Sequence, residues 1–107
     1  MITLYFCDMG IIDSNIDKIR ALCQKHKVAR LFVFGSILTE NFKTTSDIDL
    51  LVDFTDVELY DYADNYFGLK SSLEKLLKRR IDLLEDKAIK NPYLRNSIES
   101  SKKKIYG

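Results

Sequence analysis

An α/β layer architecture is the fold class this sequence predicts, on two observations. Helical and strand periodicities alternate along the chain, and at least one strand is apolar almost without interruption, which implies burial on both faces. The chain has 107 residues, 46% hydrophobic and 31% charged, with 4 glycines and 1 proline. That composition describes one folded domain rather than a disordered or low-complexity segment. A domain of this size buries roughly two-thirds of its unfolded surface, so a single core is expected. A second substrate domain is not, and any large substrate is expected to come from outside or from a partner chain.

The elements follow in order. Residues 2–7 (ITLYFC) are apolar but too short to classify, and suit an edge strand or an arm lying on another chain; we set residues 1–13 apart from a domain spanning 14–107. Asp13 or Ser14 can cap a helix running to about His26, with Ile16, Ile19, Leu22 and Cys23 on one face. Val28–Phe34 is β-branched and aromatic, and Gly35-Ser36 stops it. Residues 37–46 read as a short helical turn and a polar loop. Ile48–Phe54 is the near-continuous apolar strand. From about 57 to 78, apolar residues recur at three- and four-residue steps, with Gly68 weakening the helix locally. Tyr62 and Tyr66 are expected in the core and Tyr60 at the surface. Ile81–Leu84 is a third strand, ended by Glu85 and Asp86. Asn91-Pro92 caps a last helix that presents Leu94, Ile98 and Ile105 on one side.

Composition also excludes functions. Lysine and arginine number 17 against 16 acids, a net charge of +1, so no general nucleic-acid partner is expected. Lys78-Arg79-Arg80 and Lys102-Lys103-Lys104 are read as solvated helix ends that complement the helix dipole. The 2 cysteines, Cys7 and Cys23, make neither a disulfide framework nor a metal spacing. They are read as small apolar side chains in a reducing compartment, and the single histidine, His26, as a polar helix-end residue. The apolar start ends at Asp8 without a basic flank, so neither a leader nor a membrane segment is expected, and the location is read as cytoplasmic.

The pattern fails in a chemically suggestive way at three places: Gly35-Ser36, Asp47-Ile48-Asp49 and Asp82. Asp47 and Asp49 lie two apart on a strand and leave the same face, with Cα atoms roughly 7 Å apart. Carboxylates at that spacing can share two divalent ions about 3.5–4 Å apart. Aspartate is a poor strand residue, yet three sit in these apolar runs, and a broken local rule marks a functional site. Gly35 lets backbone approach a ligand, and Ser36 adds a hydroxyl and an N–H, which suits phosphate oxygens. Together they are the hardware of phosphoryl or nucleotidyl transfer. A G-S-x10-D-x-D string arises by chance in on the order of one such chain in a thousand.

Phe34-Gly35-Ser36 with Ser46-Asp47-Ile48-Asp49-Leu50-Leu51-Val52 resembles the signature of the polymerase-beta-like nucleotidyltransferase superfamily. The length, Arg80-Ile81-Asp82-Leu83-Leu84, Tyr93-Leu94-Arg95 and Ile105-Tyr106-Gly107 resemble its smallest branch, the minimal nucleotidyltransferase (MNT) proteins. The resemblance implies a small mixed β-sheet with helices packed on it. It implies nucleotide phosphates at Gly35 and Ser36, two magnesium ions on Asp47 and Asp49, and Asp82 binding the catalytic ion and helping to deprotonate the acceptor. It implies ATP as substrate and an all-α HEPN toxin as partner, a toxin tyrosine receiving AMP and the MNT chain acting as antitoxin; a homo-oligomer is compatible with it. One departure stands out: family members carry a small residue and an arginine after the serine, where this chain has Ile37-Leu38-Thr39-Glu40. Arg30, Arg79, Arg80 or Lys43 are candidates to compensate. The competing readings are a non-catalytic antitoxin that neutralises its toxin by binding, and nucleotidyl transfer to a small molecule or an RNA end.

Overall fold

The computed structural model describes residues 10–35 and 47–107. The readings for residues 2–7, Cys7, Ser36, the 37–46 stretch and Lys43 lie outside the described residues. The elements run α1 (Gly10–Asp13), α2 (Ile16–Lys25), β1 (Val28–Phe34), β2 (Ile48–Phe54), α3 (Leu59–Leu77), β3 (Ile81–Glu85), α4 (Pro92–Ser101) and β4 (Lys103–Tyr106). Among the described residues the strands form one mixed sheet, ordered β3-β2-β1-β4. β2 pairs antiparallel with β1 and parallel with β3, and β4 pairs antiparallel with β1. The end of β1 and the starts of β2 and β3 therefore share one end of the sheet.

Strand periodicity sorts the faces. Ile48, Leu50, Val52 and Phe54 of β2 enter the main core with Leu31 and Val33 of β1 and Ile81 and Leu83 of β3. Helices α2 and α3 close that face with Ile19, Cys23, Leu69, Leu73 and Leu77. Each such side chain contributes about 1.5–3 kcal/mol by leaving water. Asp49, Leu51 and Asp53 alternate onto the other face. Leu51 is fully buried there, so β2 is covered on both sides, as its apolar run implies.

Several elements differ from expectation. The helix expected from Asp13 or Ser14 starts after Asn15; Asp13 instead ends α1, whose Ile12 is completely buried in the core. The division expected after residue 13 thus falls between two packed helices. Ile105 is not on the last helix. That helix ends at Ser101, Lys102 turns extended, and residues 103–106 add a strand beside β1. The Lys102–Lys104 run is accordingly one helix-end lysine and two strand residues. Lys102 pairs with Glu99 and lies 4.3 Å over the Phe32 ring. The Asn91 cap is as read: its side chain accepts from the N–H groups of Tyr93 (2.8 Å) and Leu94 (3.3 Å).

Gly68 has a specific use. A Cβ there would stand 3.0 Å from Cε1 of His26, so its absence lets the imidazole fit between α2 and α3. His26 does end a helix, as expected, but it is buried rather than solvated. Its carbonyl accepts from Asn65 Nδ2 at 2.7 Å, tying the two helices together. Burial pushes the Cys23 thiol up to about 12, which leaves it an inert apolar side chain.

Candidate active site

The site forms where β1 ends and β2 and β3 begin. Antiparallel pairing sets Phe34 opposite Asp49, which brings the next residue, Gly35, alongside the Asp49 side chain. Gly35 has φ +79°, and a Cβ there would collide with Asp49 Oδ2 and stand 3.2 Å from its Cγ. Glycine is thus required twice, for its backbone conformation and for the space. Across the sheet, parallel pairing sets Asp82 directly opposite Asp49, so both carboxylates leave the same face of adjacent strands. The start of β2 is anchored to β3 by Ile48 N–H donating to the Arg80 carbonyl at 2.9 Å. Asp47 immediately precedes β2 and is exposed, as is Asp82; Asp49 is half-buried.

The electrostatics follow from this crowding. Asp49 is pushed up from 3.8 to about 6, first by burial, then by the charge of Asp82 and of Asp47. Both neighbouring acids therefore act on Asp49. The Asp82 charge also helps raise the Tyr66 phenol, after the larger effect of burial. The Tyr66 hydroxyl donates to the carbonyl of Leu83, the residue after Asp82. Tyr66, expected in the core, packs against it, and its hydroxyl also reaches the site's edge strand.

The donor set fits a hard divalent cation, being carboxylate oxygens that repel one another. Among the described residues no three His, Cys, Asp or Glu side chains make a ready-made metal cage. Magnesium does not ask for one; it is commonly held by one or two carboxylates together with substrate phosphates. Asp49 and Asp82 are the pair positioned for that, with Asp47 beside them.

Of the site residues expected, Asp47, Asp49, Asp82 and Gly35 come together, and Ser36 lies outside the described residues. Of the basic residues expected to compensate for the missing arginine, Arg30 is occupied elsewhere. It pairs with Asp53, four positions along β2 from Asp49, and they form an ion pair, with Lys87 Nζ 4.0 Å from Asp53 Oδ1.

Residues 16–105 match the nucleotidyltransferase domain family model. The chain belongs to the nucleotidyltransferase domain family. Two relatives of this nucleotidyltransferase in Methanocaldococcus jannaschii, both provisionally named protein adenylyltransferases, are 41% and 39% identical over 80 residues, 75% of this chain and 79% of each relative. A solved structure provisionally named a minimal nucleotidyltransferase superposes with a TM-score of 0.74 at 28% identity, covering 90% of this chain and 94% of that one. A chain in the complex of tri-AMPylated Shewanella oneidensis HEPN toxin with MNT antitoxin gives 0.61 at 21% identity, covering 89% and 71%. The fold is that of the minimal nucleotidyltransferases, with the mixed sheet that the resemblance implied. Among the described residues no helix is long and apolar enough to cross a membrane.

Proposed function

We propose that this nucleotidyltransferase transfers AMP from ATP to a tyrosine of a HEPN-type toxin, and so acts as its antitoxin. One observation carries the proposal: Asp49 and Asp82 stand opposite each other in the β2–β3 register, with Gly35 set against Asp49. Support also comes from relatives named protein adenylyltransferases and from the shared fold of an MNT antitoxin complex.

Gly35 and Ser36 would hold the nucleotide phosphates, and Asp47, Asp49 and Asp82 would hold two magnesium ions. When bound, magnesium supplies charge neutralisation on the phosphates and the departing pyrophosphate. Asp82, exposed on the strand at the sheet's edge, would accept the proton of the acceptor hydroxyl. The acceptor oxygen then bonds to the α-phosphorus as the bond to the β-phosphate oxygen breaks.

The test is incubation with α-labelled ATP, magnesium and a HEPN-type toxin encoded beside this chain. Label on a toxin tyrosine, absent with Asp47→Asn/Asp49→Asn, supports the proposal. Neutralisation of the toxin by that variant without labelling establishes an antitoxin that works by binding. Label on RNA or a small acceptor instead of the protein overturns the choice of acceptor.

A further inference from the structure

Beside Asp82 the surface folds into a groove of about 410 Å³ with an almost wholly apolar lining. Tyr62, Ala63, Tyr66 and Phe67 of α3 form one wall, and Leu83 and Leu84 of β3 the other. The groove wraps the edge of the sheet. Leu84 alternates onto the same face as Asp82, roughly 7 Å along the strand, whereas Leu83 faces the core. The apolar surface continues outward along α3: Phe67 is 62% exposed and, two turns earlier, Leu59 is 93% exposed. Large apolar side chains left this bare beside a cleft mark an interaction surface. Acidic residues flank it, with Glu58, Asp61 and Asp64 all exposed on or beside the first turns of α3.

Resting on the proposed function, direction of attack decides what the groove receives. Phosphoryl transfer keeps the attacking and leaving oxygens roughly in line through phosphorus. With the nucleotide phosphates at Gly35, on the β1 flank of Asp49, the leaving group departs on that side. The acceptor must then approach from the β3 flank, where Asp82 and the groove lie. We propose that this groove seats the acceptor protein, taking an apolar side chain that flanks the acceptor hydroxyl while basic residues of the same segment face the acidic start of α3.

The mode of docking follows from how the edge is finished. The Tyr66 hydroxyl occupies the Leu83 carbonyl, and Glu74 Oε2 accepts from the Ile81 N–H at 3.1 Å. These outward-facing backbone groups of β3 are already satisfied by α3 side chains. With these two groups taken, the edge is a poor template for strand addition, and recognition is assigned to side-chain insertion.

The experiment compares the wild-type chain with Ala63→Arg, which fills the groove, and Phe67→Ala, which removes part of its wall; both positions are exposed, and circular dichroism checks the fold. Initial rates are measured against acceptor-protein concentration and separately against ATP. Binding of the acceptor protein without nucleotide is measured by calorimetry. The expected result is an acceptor KM and Kd raised roughly tenfold in each variant, with kcat at saturating acceptor and the KM for ATP unchanged. Acceptor KM and Kd unchanged in both variants overturn the proposal. So does weakened ATP affinity in place of weakened acceptor affinity, since the groove then holds the nucleotide. Loss of a wild-type dimer on sedimentation, with acceptor binding unaffected, reassigns the groove to a second copy. If the wild-type chain binds the acceptor but transfers no label, the proposed activity fails; the groove assignment then stands or falls on calorimetry alone.

Discussion

Gly35 and Asp49 compete for the same space: where a Cβ on residue 35 would stand, the Asp49 carboxylate already sits. This contact links the turn after β1 to the acid at the start of β2. Gly35→Ala forces a positive φ on an ordinary residue, costing about 1–3 kcal/mol, and it displaces the carboxylate as well. We expect AMP transfer to fall at least ~100-fold while the protein still folds. Adding Asp49→Gly to Gly35→Ala should recover part of the lost stability and none of the activity, because it removes the collision but also the acid. Additive losses in that double-mutant cycle would mean that the two residues do not meet.

Asp49 should leave a signature in stability against pH. Its folded value of about 6 lies above the ordinary 3.8, so between those values the folded chain binds more protons than the unfolded one. Stability from this group therefore falls as pH rises from about 4 to about 6, and the cost is fully present at pH 7. In chelator, Asp49→Asn should melt higher than wild type at pH 7, by a few degrees, and close to wild type near pH 4. The half-exposed position keeps the gap small. Magnesium should raise the wild-type melting temperature at pH 7 more than that of Asp49→Asn, and removing it should reverse the gain. Scanning calorimetry across pH with and without magnesium checks both, and parallel curves for the two proteins would be the contrary result.

The sequence revealed what depends on local pattern. The strands Val28–Phe34 and Ile48–Phe54 were legible because β-branched and apolar runs end at clear breaks, and α3 because its stripe is long. β4 was not legible. Ile105 lies seven residues after Ile98, a spacing that also suits a helix, and four residues containing two lysines gain strand character only by pairing with β1, some seventy residues earlier. The site divides in the same way. That Asp47, Asp49 and Asp82 are the acids to single out was readable from carboxylates in apolar strands. That Asp49 faces Asp82 and fills the place of a Gly35 side chain was not, because both facts depend on strand register, which is set by the whole sheet. The use of Gly68 was hidden likewise: the sequence shows a weak point in a helix, and only the fold brings His26 against it.

Arg30 was a candidate substitute for the arginine absent after Gly35-Ser36, and its position argues otherwise. It pairs with Asp53, whose side chain is only 11% exposed, well along the strands from Asp49. Removing the guanidinium leaves a nearly buried carboxylate with Lys87, at 4.0 Å, as its remaining basic neighbour among the described residues. Arg30→Ala should therefore lower the urea midpoint with an unchanged slope, and Arg30→Ala/Asp53→Asn should recover much of that loss. Neither change should alter the KM for ATP. A raised ATP KM in Arg30→Ala, with stability intact, would return this arginine to the nucleotide site.

Asp82 gives the sharpest separation of machinery from scaffold. Its charge is the second cause, after burial, that raises Asp49, and it contributes to raising the Tyr66 phenol. Its own side chain is exposed, so neutralising it empties no core space. Asp82→Asn keeps the shape and removes the repulsion. In chelator at pH 7 this variant should be at least as stable as wild type, and Asp49 should titrate closer to an ordinary aspartate, which carboxyl NMR would read directly. Loss of the proposed proton acceptor should nevertheless lower AMP transfer by roughly 100-fold or more. That combination, a more stable resting fold and a slower reaction, would mark Asp82 as kept for the reaction. A destabilised Asp82→Asn that retained wild-type transfer would invert both halves of this reasoning and make the acid opposite Asp49 part of the sheet's construction.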